Sequence, residues 1–182
     1  LCSHEYFHLW NVKRLKPAAF LPYDLTKENH TELLWAFEGI TSYYDDLMLC
    51  RAGLISERRY LSLLAKTITT VEKTNGRLKQ TLAESSFYAW TKFYKQDENA
   101  INSIVSYYSK GSLAALCLDL HLRKKTDGQT SLDTVMRALW NTYGKKNTGV
   151  PENGIETLTE FVSGLDLRDF FDHIIRSTRE LP

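Results

Sequence analysis

The sequence lacks several features that would place it in a specialised class of protein. No apolar run reaches about 18 residues, so no membrane-spanning helix is predicted. Neither charge dominates, because the 23 basic and 22 acidic residues leave a net charge of +1, which gives no electrostatic reason to expect a nucleic-acid partner. The opening residues show neither the charged segment nor the cleavage site of a signal peptide, so none is expected, although one removed earlier would leave no trace.

Cysteine is scarce. The three cysteines, Cys2, Cys50 and Cys117, are odd in number and form no C-x-x-C pair. Because Cys50 and Cys117 lie inside apolar helical patterns, both are predicted to be buried free thiols. This usage favours a reducing compartment and hence the cytoplasm, with the periplasm as the alternative.

Proline and glycine are also few, with four and nine residues in a chain of 182. Helical apolar spacing runs almost throughout, which predicts a mostly α fold, a multi-helix bundle, with residues 1–182 as one domain. The main interruption contains Pro17 and Pro22 and is interpreted as an ordered loop, because proline does not continue a helix.

Local signals predict several helix boundaries. Thr31 is a candidate N-cap for a helix that ends at Gly53, where glycine suits a left-handed conformation, and Ser56 is a candidate N-cap for the next helix. Gly164 is expected to separate two short helices near the end of the chain. An aromatic stripe is predicted to lie in the core, with one of its rings a candidate for lining a substrate pocket; its members are Phe87, Tyr88, Trp90, Phe93 and Tyr94.

The most informative stretch is "HEYFH", residues 4–8. His4 and His8 are one helical turn apart, so both imidazoles leave the same face and can bind one metal ion. Glu5 flanks that face, close enough to act on a bound water without being a ligand. This is the H-E-x-x-H arrangement, in which two histidines hold zinc and the glutamate serves as a general base in hydrolysis.

A catalytic zinc site needs a third protein ligand. Glu38 is the best candidate, because it interrupts an apolar helical stretch and precedes Gly39, which lets another backbone approach closely. A buried carboxylate without a partner is costly unless a cation neutralises it. The alternative is a solvated Glu38 on a helix edge. The other acidic and histidine residues weighed for the role lie in loops, at a helix start or on distant helices; they are Glu28, His30, Glu32, His121 and His173.

Three segments in order, "HEYFHLWNVKRLKP", "LLWAFEGITSYYDDL" and "SYYSKGSLAALCLDLHLR", resemble the catalytic domain of the glycyl aminopeptidase family of zinc metallopeptidases, which belongs to the gluzincins. The resemblance covers nearly the whole chain and extends to the related aminopeptidase N group. The 29 residues between His8 and Glu38 exceed the short interval of that group and resemble the glycyl aminopeptidase family itself.

The resemblance implies roles for particular residues. Glu38 corresponds to the third ligand of a single zinc ion, and Tyr108, in a Tyr-x-Lys-Gly motif, to the residue that hydrogen-bonds the oxyanion. Tyr107 is the rival candidate for that oxyanion role. Asp45 corresponds to a carboxylate that supports a histidine ligand through its second ring nitrogen, or else it is an ordinary helix-surface residue.

The resemblance further implies an aminopeptidase that removes N-terminal glycine or alanine from peptides. Family members have a β-rich region upstream and a PDZ domain downstream, and the chain starts only three residues before His4. We therefore expect residues 1–182 to be a catalytic-domain fragment, weakly active or inactive alone. The competing interpretation is a non-catalytic helical scaffold or interaction domain, or a degenerate pseudo-peptidase.

Overall fold

A computed structural model describes all of residues 1–182 and contains only helices, turns and loops, apart from two isolated β-bridges. None of its helices is both long and apolar enough to span a membrane. The α-helices are α1 (Cys2–Phe7), α2 (Ile40–Arg51), α3 (Glu57–Glu72), α4 (Leu82–Phe87), α5 (Ala100–Ser103), α6 (Ser109–Lys125), α7 (Leu132–Leu139), α8 (Gly154–Ser163) and α9 (Arg168–Ile174). Three π-helical segments, Trp35–Gly39, Ala89–Phe93 and Trp140–Gly144, and 3₁₀ turns at Ala18–Phe20 and Asn75–Leu78 complete the helical elements. The prediction of a mostly α multi-helix fold is confirmed.

Helix α6 runs through the centre of the molecule. Its buried positions include Ala114, Ala115, Leu118 and Leu122, all fully inaccessible to solvent, which share one face of the helix. Helix α2 and the π segment Trp35–Gly39 pack against it. The core therefore surrounds α6, and the remaining helices cover it.

Gly39, at the end of the π segment Trp35–Gly39, packs directly against Gly111 of α6. A β-carbon on Gly39 would lie 2.6 Å from the backbone carbon of Gly111, and one on Gly111 would lie 3.1 Å from the α-carbon of Gly39. Only glycine at both positions lets the backbones meet without displacement. The expectation that Gly39 permits close backbone approach is confirmed, and the contact places Glu38 beside the start of α6.

A buried polar cluster ties α2, α6 and α7 together. The Asp119 carboxylate accepts hydrogen bonds from the Tyr43 hydroxyl at 2.8 Å and from the Leu132 amide at 2.7 Å, and it pairs with Arg123 at 2.9 Å. Since three donors satisfy this carboxylate, its charge is tolerated inside the bundle. Desolvation and the nearby Asp119 raise the pKa of Tyr43, which therefore stays protonated as a donor.

The segment with Pro17 and Pro22 is an ordered loop, as predicted. Ala18 N–H donates to the Val150 carbonyl at 2.8 Å, and Val150 N–H donates to the Lys16 carbonyl at 2.8 Å, so the loop is fastened to a second loop far along the chain. These bonds satisfy backbone groups that a loop would otherwise leave to water.

Most boundary predictions hold. Ser56 accepts a hydrogen bond from Arg59 N–H as an N-cap, and Gly53 and Gly164 have positive φ angles of 73° and 69°. The N-cap prediction for Thr31 is wrong, because the helix begins only at Trp35 and Leu34 occupies the N-cap position. The Thr31 hydroxyl accepts from Leu33 N–H in the preceding turn and donates to Glu152. Its side chain is used to join two loops instead.

Two burial predictions are also wrong. The thiols of Cys50 and Cys117 are free but half-buried. The aromatic stripe is mostly at the surface, where Trp90 is 48% exposed and Tyr94 is 61% exposed, while Phe93 is half-buried. The π segment Ala89–Phe93 has more residues per turn than an α-helix, so it rotates the side chains that follow. The prediction assumed a regular α-helical period and therefore assigned the wrong face of the stripe to the core.

The glycine contact gives a first prediction. Gly39→Ala should lower the free energy of unfolding by about 1–3 kcal/mol, because the added methyl group meets backbone rather than a flexible side chain. Ser42→Ala, at a half-buried site on α2, is the control and should change it by less than about 0.5 kcal/mol. Midpoints of urea unfolding measure both changes. A Gly39→Ala midpoint equal to those of wild type and Ser42→Ala would show that the two backbones can move apart at little cost in stability.

Candidate metal centre

Helix α1 presents the two histidines of the opening segment on one side. His4 lies in the helix and His8 is its C-cap residue, and their ring centroids are 4.6 Å apart with the ring planes nearly perpendicular, at 89°. Both side chains are largely buried, with exposed fractions of 14% and 13%. The short helix thus brings both imidazoles to one point, as the i, i+4 spacing predicts.

Contacts with α2 hold this helix in place. Ser3 donates from its hydroxyl to the Asp45 carbonyl at 2.8 Å, and the Phe7 ring stacks on Tyr44 with centroids 5.0 Å apart. An isolated helix of six residues is unstable, so its conformation depends on this packing.

Glu38 completes the group from the π segment. Its Oε2 lies 3.4 Å from His4 Nε2 and 3.2 Å from His8 Nε2, and one ligand atom from each residue lies within 4.8 Å of the others. This oxygen is buried and has no hydrogen bond of normal geometry. A cation bound between the three side chains would remove the cost of leaving that charge unpaired. The donor set of two imidazoles and a carboxylate fits a divalent metal such as zinc.

The carboxylate also affects the neighbouring imidazole. The adjacent Glu38 is the main reason that the pKa of His8 is raised, while partial burial acts in the opposite direction. A proton on His8 Nε2 and a metal ion would occupy the same place, so they are alternative partners for this carboxylate.

The outer ring nitrogens face different partners. His8 Nδ1–H donates to the Asn11 carbonyl at 2.7 Å, which leaves the lone pair of the neutral ring on Nε2, facing Glu38. His4 Nδ1 lies 3.9 Å from the Asp45 carboxylate, which is within ion-pairing range but longer than a hydrogen bond. Asp45 therefore lies near the ring nitrogen of His4 that does not face Glu38.

Asn11 also secures the segment that carries Glu38, a role that sequence reasoning missed. Its buried side-chain amide donates toward the carbonyls of Ala36 at 3.3 Å and Phe37 at 3.2 Å, and toward the Thr41 hydroxyl at 3.1 Å. Helical geometry changes from π to α here, and the amide supplies donors that the backbone does not. The residue follows the histidines closely, but no periodic pattern distinguishes it.

His4, His8 and Glu38 line a cleft of about 610 Å³. Glu5 and Tyr108 line it with the histidines and Glu38, and the Tyr108 ring centroid is 6.3 Å from that of His4. Tyr107 does not line the cleft; it is 1% exposed and its hydroxyl donates to Tyr94 at 3.2 Å. The complete lining is Leu1, His4, Glu5, His8, Val12, Lys13, Glu38, Asp45 and Tyr108.

The alternative candidates for a third ligand lie outside this group. His30 donates from Nδ1 to the Phe87 carbonyl at 2.7 Å, and His173 donates from Nε2 to the Glu180 carbonyl at 2.7 Å. His121 packs against Phe170, with ring centroids 4.5 Å apart. No second cluster of three metal-ligating side chains is present in residues 1–182.

Comparison with known structures first defines the class. The chain is similar to a crystal structure of an aminopeptidase N family protein from Idiomarina loihiensis, with 50% sequence identity and a TM-score of 0.96. The similarity covers all of this chain and 31% of that one, so residues 1–182 span about a third of its length. Curated proteins give no match.

Comparison with family models then defines the family. Residues 1–114 match the model of the M61 glycyl aminopeptidase family, and the matched region contains every residue of the candidate centre. The chain belongs to the M61 glycyl aminopeptidase family. Membership in this family of metallopeptidases implies a metal, and the His4, His8 and Glu38 group provides a place for one.

The Asn11 contacts give a second prediction. Asn11→Ala should lower the free energy of unfolding by about 1–3 kcal/mol, because buried carbonyls lose their donor. Asn141→Ala, at an exposed asparagine, is the control and should have little effect. Chemical denaturation measures both, and an unchanged midpoint for Asn11→Ala would mean that the amide is not needed for this geometry.

Proposed function

We propose that this chain is the catalytic part of a zinc-dependent aminopeptidase that removes N-terminal residues from peptides. The observation that supports this most is the meeting of His4, His8 and Glu38, with a buried carboxylate oxygen that has no hydrogen-bond partner. These three residues would hold one zinc ion. When bound, zinc would lower the pKa of a coordinated water and polarise the scissile carbonyl.

Glu5 is proposed as the general base. It lies on α1 beside the two histidines, lines the cleft and is exposed, so its carboxylate is free to reach a water or a substrate. It would take the proton from the attacking water and return that proton to the leaving amine.

Tyr108 is proposed as the donor to the oxyanion that develops on the scissile carbonyl. Its ring lies beside His4 and faces the cleft, whereas the buried Tyr107 hydroxyl already donates to Tyr94. Tyr108 is therefore better placed than Tyr107. Asp45 would support His4 from behind, through its position near Nδ1.

The rest of the enzyme is proposed to lie outside these residues. The similar crystal chain is about three times longer than residues 1–182. The further domains proposed for the full-length protein are those that the family resemblance implies, a β-rich region and a PDZ domain. Those parts would help to recognise the free amino terminus and a small first residue, glycine or alanine. Residues 1–182 alone would then be weakly active or inactive.

Glu5→Gln in the full-length protein tests this function. Turnover of an N-terminal glycine peptide should fall at least about 10²-fold, because the amide cannot accept the proton. Zinc content, measured by elemental analysis, should stay the same because Glu5 is not a ligand. Glu98→Gln, an exposed glutamate outside the cleft, is the matched control and should keep both activity and metal.

Three results would contradict the proposal in different ways. Retained turnover in Glu5→Gln would remove the general-base role. Loss of zinc from the same variant would make Glu5 a ligand or a structural residue. A wild-type protein that holds zinc but cleaves no peptide from a glycine, alanine and leucine panel would be a pseudo-peptidase.

A further inference from the structure

Three tyrosine hydroxyls form a short chain that ends at the cleft. The Tyr107 hydroxyl is 3.2 Å from that of Tyr94, and the Tyr94 hydroxyl is 3.3 Å from that of Tyr108. Tyr94 follows the π segment Ala89–Phe93. Tyr108 is the N-cap residue of α6, and Tyr107 immediately precedes it. Residues that are distant in sequence therefore meet through their hydroxyl groups.

The direction of the first bond follows from burial. Tyr107 is 1% exposed, so its hydroxyl proton has no access to water and needs an acceptor in the protein. The Tyr94 hydroxyl is that acceptor. Burial also raises the pKa of Tyr107, which keeps this proton in place.

The geometry of the second bond, between Tyr94 and Tyr108, allows either hydroxyl to be the donor. Each phenol has one hydroxyl proton. Because Tyr107 donates to Tyr94, the Tyr94 proton can be donated to Tyr108, and in that direction Tyr108 keeps its own proton for an acceptor inside the cleft. Hydrogen bonds arranged head to tail polarise one another, so the last donor is strengthened.

We propose that Tyr94 is a positioning residue, which orients the Tyr108 hydroxyl toward the cleft and strengthens it as a donor. This inference rests on the proposed function, in which Tyr108 donates to the oxyanion. If Tyr108 donated to Tyr94 instead, its proton would be occupied outside the cleft, and removing the Tyr94 hydroxyl would release it. The two arrangements therefore predict opposite effects of one substitution.

The packing around the three phenols limits their motion. The Phe93 ring centroid lies 4.8 Å from that of Tyr107, 5.6 Å from that of Tyr94 and 5.9 Å from that of Tyr108. Tyr94 is otherwise 61% exposed, so loss of its hydroxyl should disturb the hydrogen bonds far more than the core. Tyr94→Phe keeps the ring and removes only the hydroxyl.

The test uses the zinc-loaded full-length protein. Tyr94→Phe should lower kcat about 3- to 10-fold with little change in KM, as expected for one neutral hydrogen bond that acts on the oxyanion donor. Tyr108→Phe should lower kcat by about 10²–10³. In the Tyr108→Phe background, Tyr94→Phe should have no further effect, because it acts through the missing hydroxyl. Tyr88→Phe, a partly exposed tyrosine outside the chain of hydroxyls, is the control.

A spectroscopic measurement tests the contact apart from turnover. With tyrosine labelled by ¹³C at the hydroxyl-bearing ring carbon, the Tyr108 signal, assigned by its loss in Tyr108→Phe, should shift in Tyr94→Phe and stay in place in Tyr88→Phe. The shift should occur with and without zinc.

The outcomes separate this inference from the proposed function. An unchanged or higher kcat in Tyr94→Phe, an equal loss in the Tyr108→Phe background, or an unmoved carbon signal would overturn the role of Tyr94. Full turnover in Tyr108→Phe would instead remove Tyr108 as the oxyanion donor, and with it any effect of the chain of hydroxyls on catalysis. The carbon signal would still report whether the Tyr94 and Tyr108 hydroxyls are hydrogen-bonded.

Discussion

The arrangement of this site depends on one carboxylate. Glu38 lies between two imidazoles with a buried oxygen that no hydrogen bond satisfies, which is an unfavourable state for a charge inside a protein. In contrast, Asp119 in the same bundle has three donors. A carboxylate left without such donors in the lining of an open cleft is suited to bind a cation.

The rest of the fold holds that carboxylate in place. The contact between Gly39 and Gly111 joins the Glu38 segment to the start of α6, so it also sets the distance to Tyr108. Asn11 fixes the segment from the other side and orients His8 through its carbonyl. The short α1 contributes the histidines but is itself held by α2. The site is therefore a product of tertiary packing more than of any single helix.

Much of this could be predicted from the sequence, because the determinants are local. The spacing of His4 and His8 and the helical period alone indicate their common face, and Gly39 beside Glu38 indicates a close helix contact. The role of Asn11 and the exposure of the aromatic stripe could not be predicted. Both depend on π-helical segments, which shift the helical phase without leaving a clear sequence signal.

Anomalous diffraction at the zinc edge, from crystals of the full-length protein grown with zinc, would locate a bound ion. We expect one peak at about 2.0–2.2 Å from His4 Nε2, His8 Nε2 and a carboxylate oxygen of Glu38. Absence of a peak there, or an ion held by the histidines with the Glu38 side chain turned away, would contradict this expectation.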